Sequence, residues 1–346
     1  MDERYADWLT EPGAPAVLVT VARVDGSGPR ETGAKMLVTA GAQADTIGGG
    51  HLEWRAVDIA RAMLAGPLGH AVRYERFALG PSLGQCCGGV VWLAFERIDA
   101  RLAAVLAALR TRTGCDSWRV STIDGPATSA LFDEHGAALA GSDAGGLPAW
   151  TAEGGARVVT DASGRRWLVD ACLAPRAHLV LFGAGHVGAA IVRALAGLPC
   201  TVTWVDGRDA QFAQWPLPAN VVVEATDTPE ALVAQAPPGA SYLVMTHSHA
   251  LDQSLTEAIL ARDDVGWFGL IGSHTKRMQF EHRLRARAIP EQRIAAMVCP
   301  IGLPGIAGKA PAVIAASVCA QLLGVWEAAA KAAQAAPLRL ATGADA

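Results

Sequence analysis

The sequence is poor in charge, and poorer still in concentrated charge. Asp, Glu, Lys and Arg make up only 18% of its 346 residues, the formal net charge is -4 and the pI is near 6.1. Lys and Arg form no long basic run, which argues against a nucleic-acid partner. An apolar leader is missing too: Met1-Asp-Glu-Arg-Tyr-Ala-Asp is charged where a signal peptide needs an apolar core, so a cytoplasmic chain is expected. Seven cysteines, at 86, 87, 115, 172, 200, 299 and 319, are an odd number scattered without a framework. Reduced thiols are therefore expected, and no second Cys pair completes a four-cysteine zinc site. The sequence contains no Gly-x-Ser-x-Gly elbow, kinase motif set or P-loop. The longest uncharged run, 310–326, is rich in alanine and includes Ser317 and Gln321, and reads as a buried helix rather than a membrane span.

What is present is apolar and long. Hydrophobic residues reach 51%, and 346 residues exceed one typical core, so two domains are expected. We expect an N-terminal α+β domain over 1–174, a Rossmann-like parallel-sheet domain over 175–336, and a disordered tail over 337–346. The fold class is α/β.

In the first part, residues 16–24 read as a buried strand by length and branched side chains, and Asp25-Gly-Ser-Gly-Pro-Arg30 as a loop by its turn chemistry. A strand resumes at 35–39. Gly48, Gly49 and Gly50 then feed a helical pattern reaching about residue 64; such a run lets backbone N–H groups converge on an anion or oxygen-rich ligand, or serves as a flexible turn. Strands over 71–79 and 90–95 flank Gly84-Gln85-Cys86-Cys87-Gly88-Gly89. Adjacent cysteines between glycines are poorly placed for core packing. They are reachable by a ligand, and backbone N–H groups around them would favour the thiolate, the species that attacks sulfur or binds a soft metal. A helix over 99–112 and strands over 118–123, 128–132, 157–160 and 166–173 complete this part.

From residue 178 onward strands and helices alternate, which implies a parallel sheet with right-handed crossovers. The run 179–182 breaks into Gly183, Gly185 and Gly188. The first glycine permits a tight turn, the second a close approach of a pyrophosphate, and the third close packing of helix on strand. Phosphate would sit at the helix N-terminus, and Asp206, closing the strand 201–206, falls where a ribose contact is expected. Further strands are expected at 220–223, 241–246 and 266–271. In such a sheet ligands gather at the carboxyl ends of the strands, where His186, His247 and His249 with Asp252, and Ser273 with Lys276 all fall. His247-x-His249-x-x-Asp252 departs from the metal motif of metallo-β-lactamase-like hydrolases, with the acid one place late and the adjoining histidine absent. These residues read as polar groups of one crevice, and Ser273 equally as a helix cap. Lys309, ahead of the helix 311–333, is a further candidate phosphate contact.

Taken in order, these motifs resemble those of the xanthine dehydrogenase accessory proteins, the XdhC/CoxI family. The likeness runs over about 15–330: Asp25-Gly-Ser-Gly-Pro-Arg30 with Gly33-Ala-Lys-Met-Leu37, Thr46-Ile-Gly-Gly-Gly-His-Leu-Glu53, Gly84-Gln-Cys-Cys-Gly-Gly89, the Gly183 turn, Thr246-His-Ser-His-Ala-Leu-Asp252, Ile271-Gly-Ser-His-Thr-Lys-Arg277, and the loop 300–309. The resemblance implies a chaperone for the molybdenum cofactor in its molybdopterin form, an accessory factor rather than an enzyme, acting with a cysteine desulfurase and the molybdenum subunit of xanthine dehydrogenase. It implies a homodimer without nucleic-acid or membrane partners. Under it, Cys86, or else Cys87, contacts molybdenum or holds sulfur in transit as a persulfide, and Gly48, Gly49, Gly50, Gln85, Gly183, Gly185, His186, Gly188, His247, His249, Ser273, Lys276 and Lys309 bind the cofactor. Asp206 and Arg208 would meet a nucleotide-extended form. The competing reading is an NAD(P)-dependent oxidoreductase using the Gly183 turn, which leaves the thiols and the three-glycine loop unexplained.

Overall fold

The computed structural model describes residues 15–66, 71–80, 88–112, 114–141, 148 and 155–335. The chain divides into two compact units, Met1–Ala174 and Pro175–Ala346. The first unit is built on two antiparallel five-stranded sheets. One has the order β3-β2-β1-β5-β4, from β1 (Ala16–Asp25), β2 (Lys35–Thr39), β3 (Gln43–Asp45), β4 (Val72–Ala78) and β5 (Val90–Arg97). The other has the order β8-β7-β6-β10-β9, from β6 (Ser117–Thr122), β7 (Ser129–Asp133), β8 (Ala138–Gly141), β9 (Ala156–Thr160) and β10 (Arg166–Cys172).

Seven consecutive residues of β1 are buried, because both of its faces are covered. Side chains alternate along a strand. Val17, Val19 and Val21 point to helix α1 (Gly50–Ala65), which lays Leu52, Ala56, Val57, Ala60 and Met63 against them. Leu18 points the other way, to Leu102 and Leu106 of α2 (Ala100–Arg110), and Ala22 meets Ile123 and Leu168 of the second sheet.

Between the two sheets lies a charged cluster that an apolar reading of these strands does not suggest. Arg119 on β6 is fully buried; it donates to Glu96 on β5 at 2.8 Å and to Asp170 on β10 at 3.3 Å, while Lys35 on β2 donates to Asp170 at 2.9 Å. Burial opposes the charge on Lys35 and Arg119, but the carboxylates prevail and both cations stay protonated well above neutral pH. Arg119 Nη2, Glu96 Oε2 and Thr20 Oγ1 are buried without a hydrogen-bond partner among the described residues.

The second unit holds a parallel sheet of order β13-β12-β11-β14-β15, from β11 (Ala177–Phe182), β12 (Cys200–Asp206), β13 (Val221–Ala225), β14 (Ser241–Val244) and β15 (Trp267–Leu270). A single parallel bridge from Val298 to Gly269 adds a rudimentary sixth position beside β15. Strands β11, β12, β14 and β15 are largely buried on both faces, whereas the edge strand β13 is largely exposed. Helices α3 (His186–Ala194) and α8 (Pro311–Ala335) cover one face, and α5 (His249–Ala261), α6 (His274–Ala286) and α7 (Glu291–Ala296) the other, with α4 (Glu230–Gln235) preceding β14. Strand order reverses between β11 and β14, which opens the crevice of a doubly wound sheet at their carboxyl ends.

Helix α8 corrects one expectation. Its span Pro311–Ala332 has mean hydropathy 1.6, yet only 28% of its apolar window is buried. Ala315, Val318, Cys319 and Leu322 form one packed stripe, flanked by the partly buried Ile314, Val325 and Trp326, while the exposed face carries alanines and Val313. By length and composition this helix is apolar enough to cross a membrane. The expected tail, 337–346, lies outside the described residues.

The inter-sheet cluster yields a test. Asp170→Ala strips Arg119 and Lys35 of a shared partner and leaves charge buried, which is expected to cost about 3–5 kcal/mol. Urea unfolding followed through Trp118 and Trp167, which lie in the same sheets, measures it; a loss below about 1 kcal/mol would mean the cluster is energetically idle.

Candidate functional sites

In the first unit, three sequence motifs meet at one end of the first sheet. A bulge between Val21 and Arg23 turns β1 into the loop 25–30. A Cβ on Gly89 would lie 2.3 Å from Ser27 O and 2.7 Å from Asp25 O, so only glycine lets the chain entering β5 rest on that loop. Leu79 N donates to Gly89 O at 2.8 Å, closing the base of the segment that carries Gln85, Cys86 and Cys87. Those three residues lie outside the described residues. On the other side, a Cβ on Gly48 would lie 2.5 Å from Pro29, and Arg30 donates to Thr46 O at 3.2 Å.

The three-glycine turn does collect backbone N–H groups on an anion, but the anion is internal. Gly48, Gly49 and Gly50 all have positive φ, which only glycine adopts freely in succession. The N–H groups of Ile47 and Gly49 donate to Glu53 Oε2, each at 3.1 Å, and Thr46 Oγ1 donates to the same oxygen. Gln43 fills Glu53 Oε1 at 3.0 Å. Of the three glycines only Gly49 donates to Glu53, while Gly48 N donates to Thr46 Oγ1 at 3.0 Å: Glu53, on the first turn of α1, folds back over the turn that starts its own helix. What the first turn of α1 shows to solvent is instead aromatic. Trp54 is 56% exposed, with His51 at 5.3 Å between ring centroids.

In the second unit each glycine of the Gly183 turn has a distinct steric reason. A Cβ on Gly183 would lie 2.5 Å from Met245 O on the neighbouring strand end, and one on Gly188 would lie 2.2 Å from Gly183 O. Around Gly185 there is open space. Gly185 is the N-cap of α3 and offers no side chain, so the first-turn N–H groups face that space with the positive end of the helix dipole. His186 is exposed beside it and packs edge-on against Trp215 at 5.8 Å.

Asp206 closes β12 next to this turn, and its oxygens are fully engaged. Oδ2 accepts from Ala184 N at 2.8 Å and Arg208 Nη2 at 2.9 Å; Oδ1 accepts from Arg208 N at 3.0 Å and Arg208 Nε at 2.8 Å. Burial raises the pKa of the carboxyl, but the Arg208 guanidinium and the two backbone N–H groups outweigh that and hold it below the ordinary carboxylate range.

Across the crevice, Asp252 plays the same part for the end of β14. It is fully buried and accepts from Thr246 N at 3.1 Å, Thr246 Oγ1 at 2.7 Å and Lys276 Nζ at 2.6 Å. Lys276 also donates to Ile271 O at 2.8 Å, so its ammonium joins the ends of β14 and β15. Ser248 and Ser273 cap α5 and α6. His247, His249 and Lys309 are exposed. Among the described residues no group of three or more His, Cys, Asp or Glu side chains is placed to hold a metal ion. The loop 300–309 is pinned at its start by α8: Gln321 brackets Gly302 through its N–H at 2.9 Å and its O at 3.2 Å, and Ser317 Oγ accepts from Leu303 N at 2.7 Å.

Of the described thiols, Cys172, Cys200 and Cys319 are buried, and burial pushes each up to about 11; Cys299 is pushed up as well. At neutral pH these are protonated packing groups, while Cys115 is exposed.

Comparison with known proteins follows the division of the chain. Residues 179–322 match the XdhC Rossmann domain, and residues 9–75 match the XdhC and CoxI family. The uncharacterized protein YqeB of Escherichia coli (strain K12) is 31% identical over 155 residues, which are 43% of this chain and only 27% of that relative. A crystal structure described as a xanthine dehydrogenase from Bacillus halodurans superposes with a TM-score of 0.74 at 22% identity, over 97% of this chain and 98% of that one. At that identity the likeness is one of fold.

Two tests address the crevice. Gly188→Ala forces its methyl group into Gly183 O and is expected to cost about 1–3 kcal/mol by overpacking, read from the urea midpoint; an unchanged midpoint would contradict the close approach. For Asp206, the folded group ionises at lower pH than the unfolded one. Its contribution is therefore complete above about pH 4 and is lost as pH falls through the lowered value. The stability gap between wild type and Asp206→Asn should stay level near neutrality and narrow as pH falls below the ordinary carboxylate range, and a gap unchanged by acidification would refute the assignment.

Proposed function

Since the chain belongs to the XdhC and CoxI family, we propose that it is a chaperone for the molybdenum cofactor, supporting cofactor sulfuration and insertion into the molybdenum subunit of xanthine dehydrogenase. The cargo is a phosphorylated pterin bearing molybdenum on a dithiolene. When bound, it supplies the metal centre at which an oxo ligand is exchanged for sulfur. The chain's own task is to grip, orient and shield.

The residues suit that cargo. Gly183, Gly185 and Gly188 offer a steep turn with open space at an uncapped helix N-terminus, the surroundings a phosphate needs. His186 and Arg208 lie on its exposed rim. Asp252 and Lys276 fix the neighbouring strand ends and act through position, while the exposed His247, His249, Ser273 and Lys309 are the side chains left to reach a ligand. In the first unit Cys86, or Cys87, is the proposed contact to molybdenum, because the described thiols apart from Cys115 are buried and hard to ionise.

The observation that supports this reading is that loop 25–30 carries the base of the thiol-bearing segment at Gly89 on one side and meets the three-glycine loop 46–50 on the other. A nicotinamide oxidoreductase needs only the Gly183 turn and has no use for that assembly. A cysteine desulfurase as sulfur donor, a homodimeric state and a cytoplasmic setting complete the proposal.

The test is anaerobic titration of the full chain with molybdenum cofactor and, separately, with NAD. Tight cofactor binding is expected, with Cys86→Ala weakening it about tenfold or more at unchanged circular dichroism. Tight NAD binding without cofactor binding would return the chain to the oxidoreductase reading, and full retention by Cys86→Ala would take that thiol out of the mechanism.

A further inference from the structure

The Asp206–Arg208 pair raises a question of specificity. In a dinucleotide-binding turn the acid at this position accepts the hydroxyls of a ribose. A carboxylate offers about four acceptor sites. Here all four are filled, by Ala184 N, Arg208 N and two guanidinium nitrogens, and the Asp206 side chain is only 5% exposed. A ribose diol would have to displace the guanidinium to bind, exchanging charge-assisted bonds for neutral ones.

The Arg208 side chain, by contrast, is 44% exposed. Nε and Nη2 face Asp206, whereas Nη1 makes no hydrogen bond among the described residues. Its N–H groups are held in a fixed plane by the bidentate bond behind them. That is a prepared donor for an anionic oxygen, set by a carboxylate that also fixes Ala184 in the glycine turn. The pair is electrically balanced, so selection works through directed hydrogen bonds.

We propose that Arg208 is the specificity residue of this crevice, reading a phosphate monoester while the saturated Asp206 refuses an unmodified ribose diol. The inference rests on the proposed use of the Gly183 turn as a ligand site. The shared chemistry is a phosphate monoester, which a phosphorylated pterin and the 2′-phosphate of a nucleotide both carry.

The full chain is titrated by calorimetry with 5′-AMP and with 2′,5′-ADP, which share a 5′-phosphate for the helix N-terminus and differ only at the 2′-oxygen, a hydroxyl of the ribose diol in one and a phosphate monoester in the other. The wild type is expected to prefer 2′,5′-ADP by at least about tenfold. Arg208→Met keeps an apolar stem, removes the guanidinium donors and frees one acceptor site on each Asp206 oxygen. It should lose affinity for 2′,5′-ADP and gain affinity for 5′-AMP, an inversion that mere structural damage does not produce. A phosphorylated pterin that competes with 2′,5′-ADP in the wild type but not in Arg208→Met assigns the site to the pterin; failure to compete assigns it to a nucleotide 2′-phosphate. Equal binding of the two nucleotides, no binding of either, or a parallel loss of both in Arg208→Met would overturn the inference. Retained cofactor binding alongside any of these would leave the proposed function standing.

Discussion

Backbone N–H groups released where a strand ends must find an acceptor, and in a sheet buried on both faces water is not freely at hand. This chain meets that constraint with carboxylates. Glu53 gathers the turn before α1, Asp206 ties the end of β12 to the turn after β11, and Asp252 ties the end of β14 to Lys276 and the end of β15. Each works beside glycine-rich backbone that has given up its side chains to let neighbouring segments close in. The loops that carry the family's motifs are thereby rigid at the base. Their outer faces are left to ligands: open space over Gly185, the exposed edge of Arg208, and the aromatic pair His51 and Trp54.

The same arrangement explains what the sequence disclosed. The alternation of strand and helix patterns after residue 178 identified the parallel sheet, whose central strands are apolar because both of their faces are covered. The steric roles of Gly183 and Gly188 were legible from spacing alone. The carboxylates were not. Glu53 belongs by sequence to a helix, and nothing in its spacing distinguishes a solvated acid from one that bends back four residues to its own N-terminal turn. Lys276 looked like a free cation in a crevice; its partner Asp252 is twenty-four positions away and becomes adjacent only when β14 and β15 pair. Arg119 was hidden for a related reason. A single charge in a strand reads as an exposed position, and only the packing of two sheets shows that it faces Glu96 and Asp170. Short strands such as Gln43–Asp45 and Ala138–Gly141 carry too few residues to show alternation.

Internal acceptors also sharpen the choice between functions. An acid after the second strand of a Rossmann unit ordinarily counts in favour of a ribose, yet Asp206 has no oxygen to spare. The argument for a dinucleotide redox enzyme thus loses its best residue, while the requirement for a phosphate at α3 is untouched. The first unit adds what a nicotinamide enzyme would not need, a thiol segment whose base rests on loop 25–30, which is itself braced on its other side by loop 46–50. Fold similarity and the two family matches are consistent with a shared architecture serving cofactor handling.

The account makes the chain a carrier of a pterin-bound metal, and its contents are therefore decisive. The full chain, purified anaerobically from cells that make molybdenum cofactor, is denatured, and the released small molecules are assayed for molybdenum and for oxidised pterin. The account predicts molybdenum and pterin in matched amounts, both absent when the host cannot make the cofactor. Release of a nicotinamide dinucleotide, with neither molybdenum nor pterin, would contradict it.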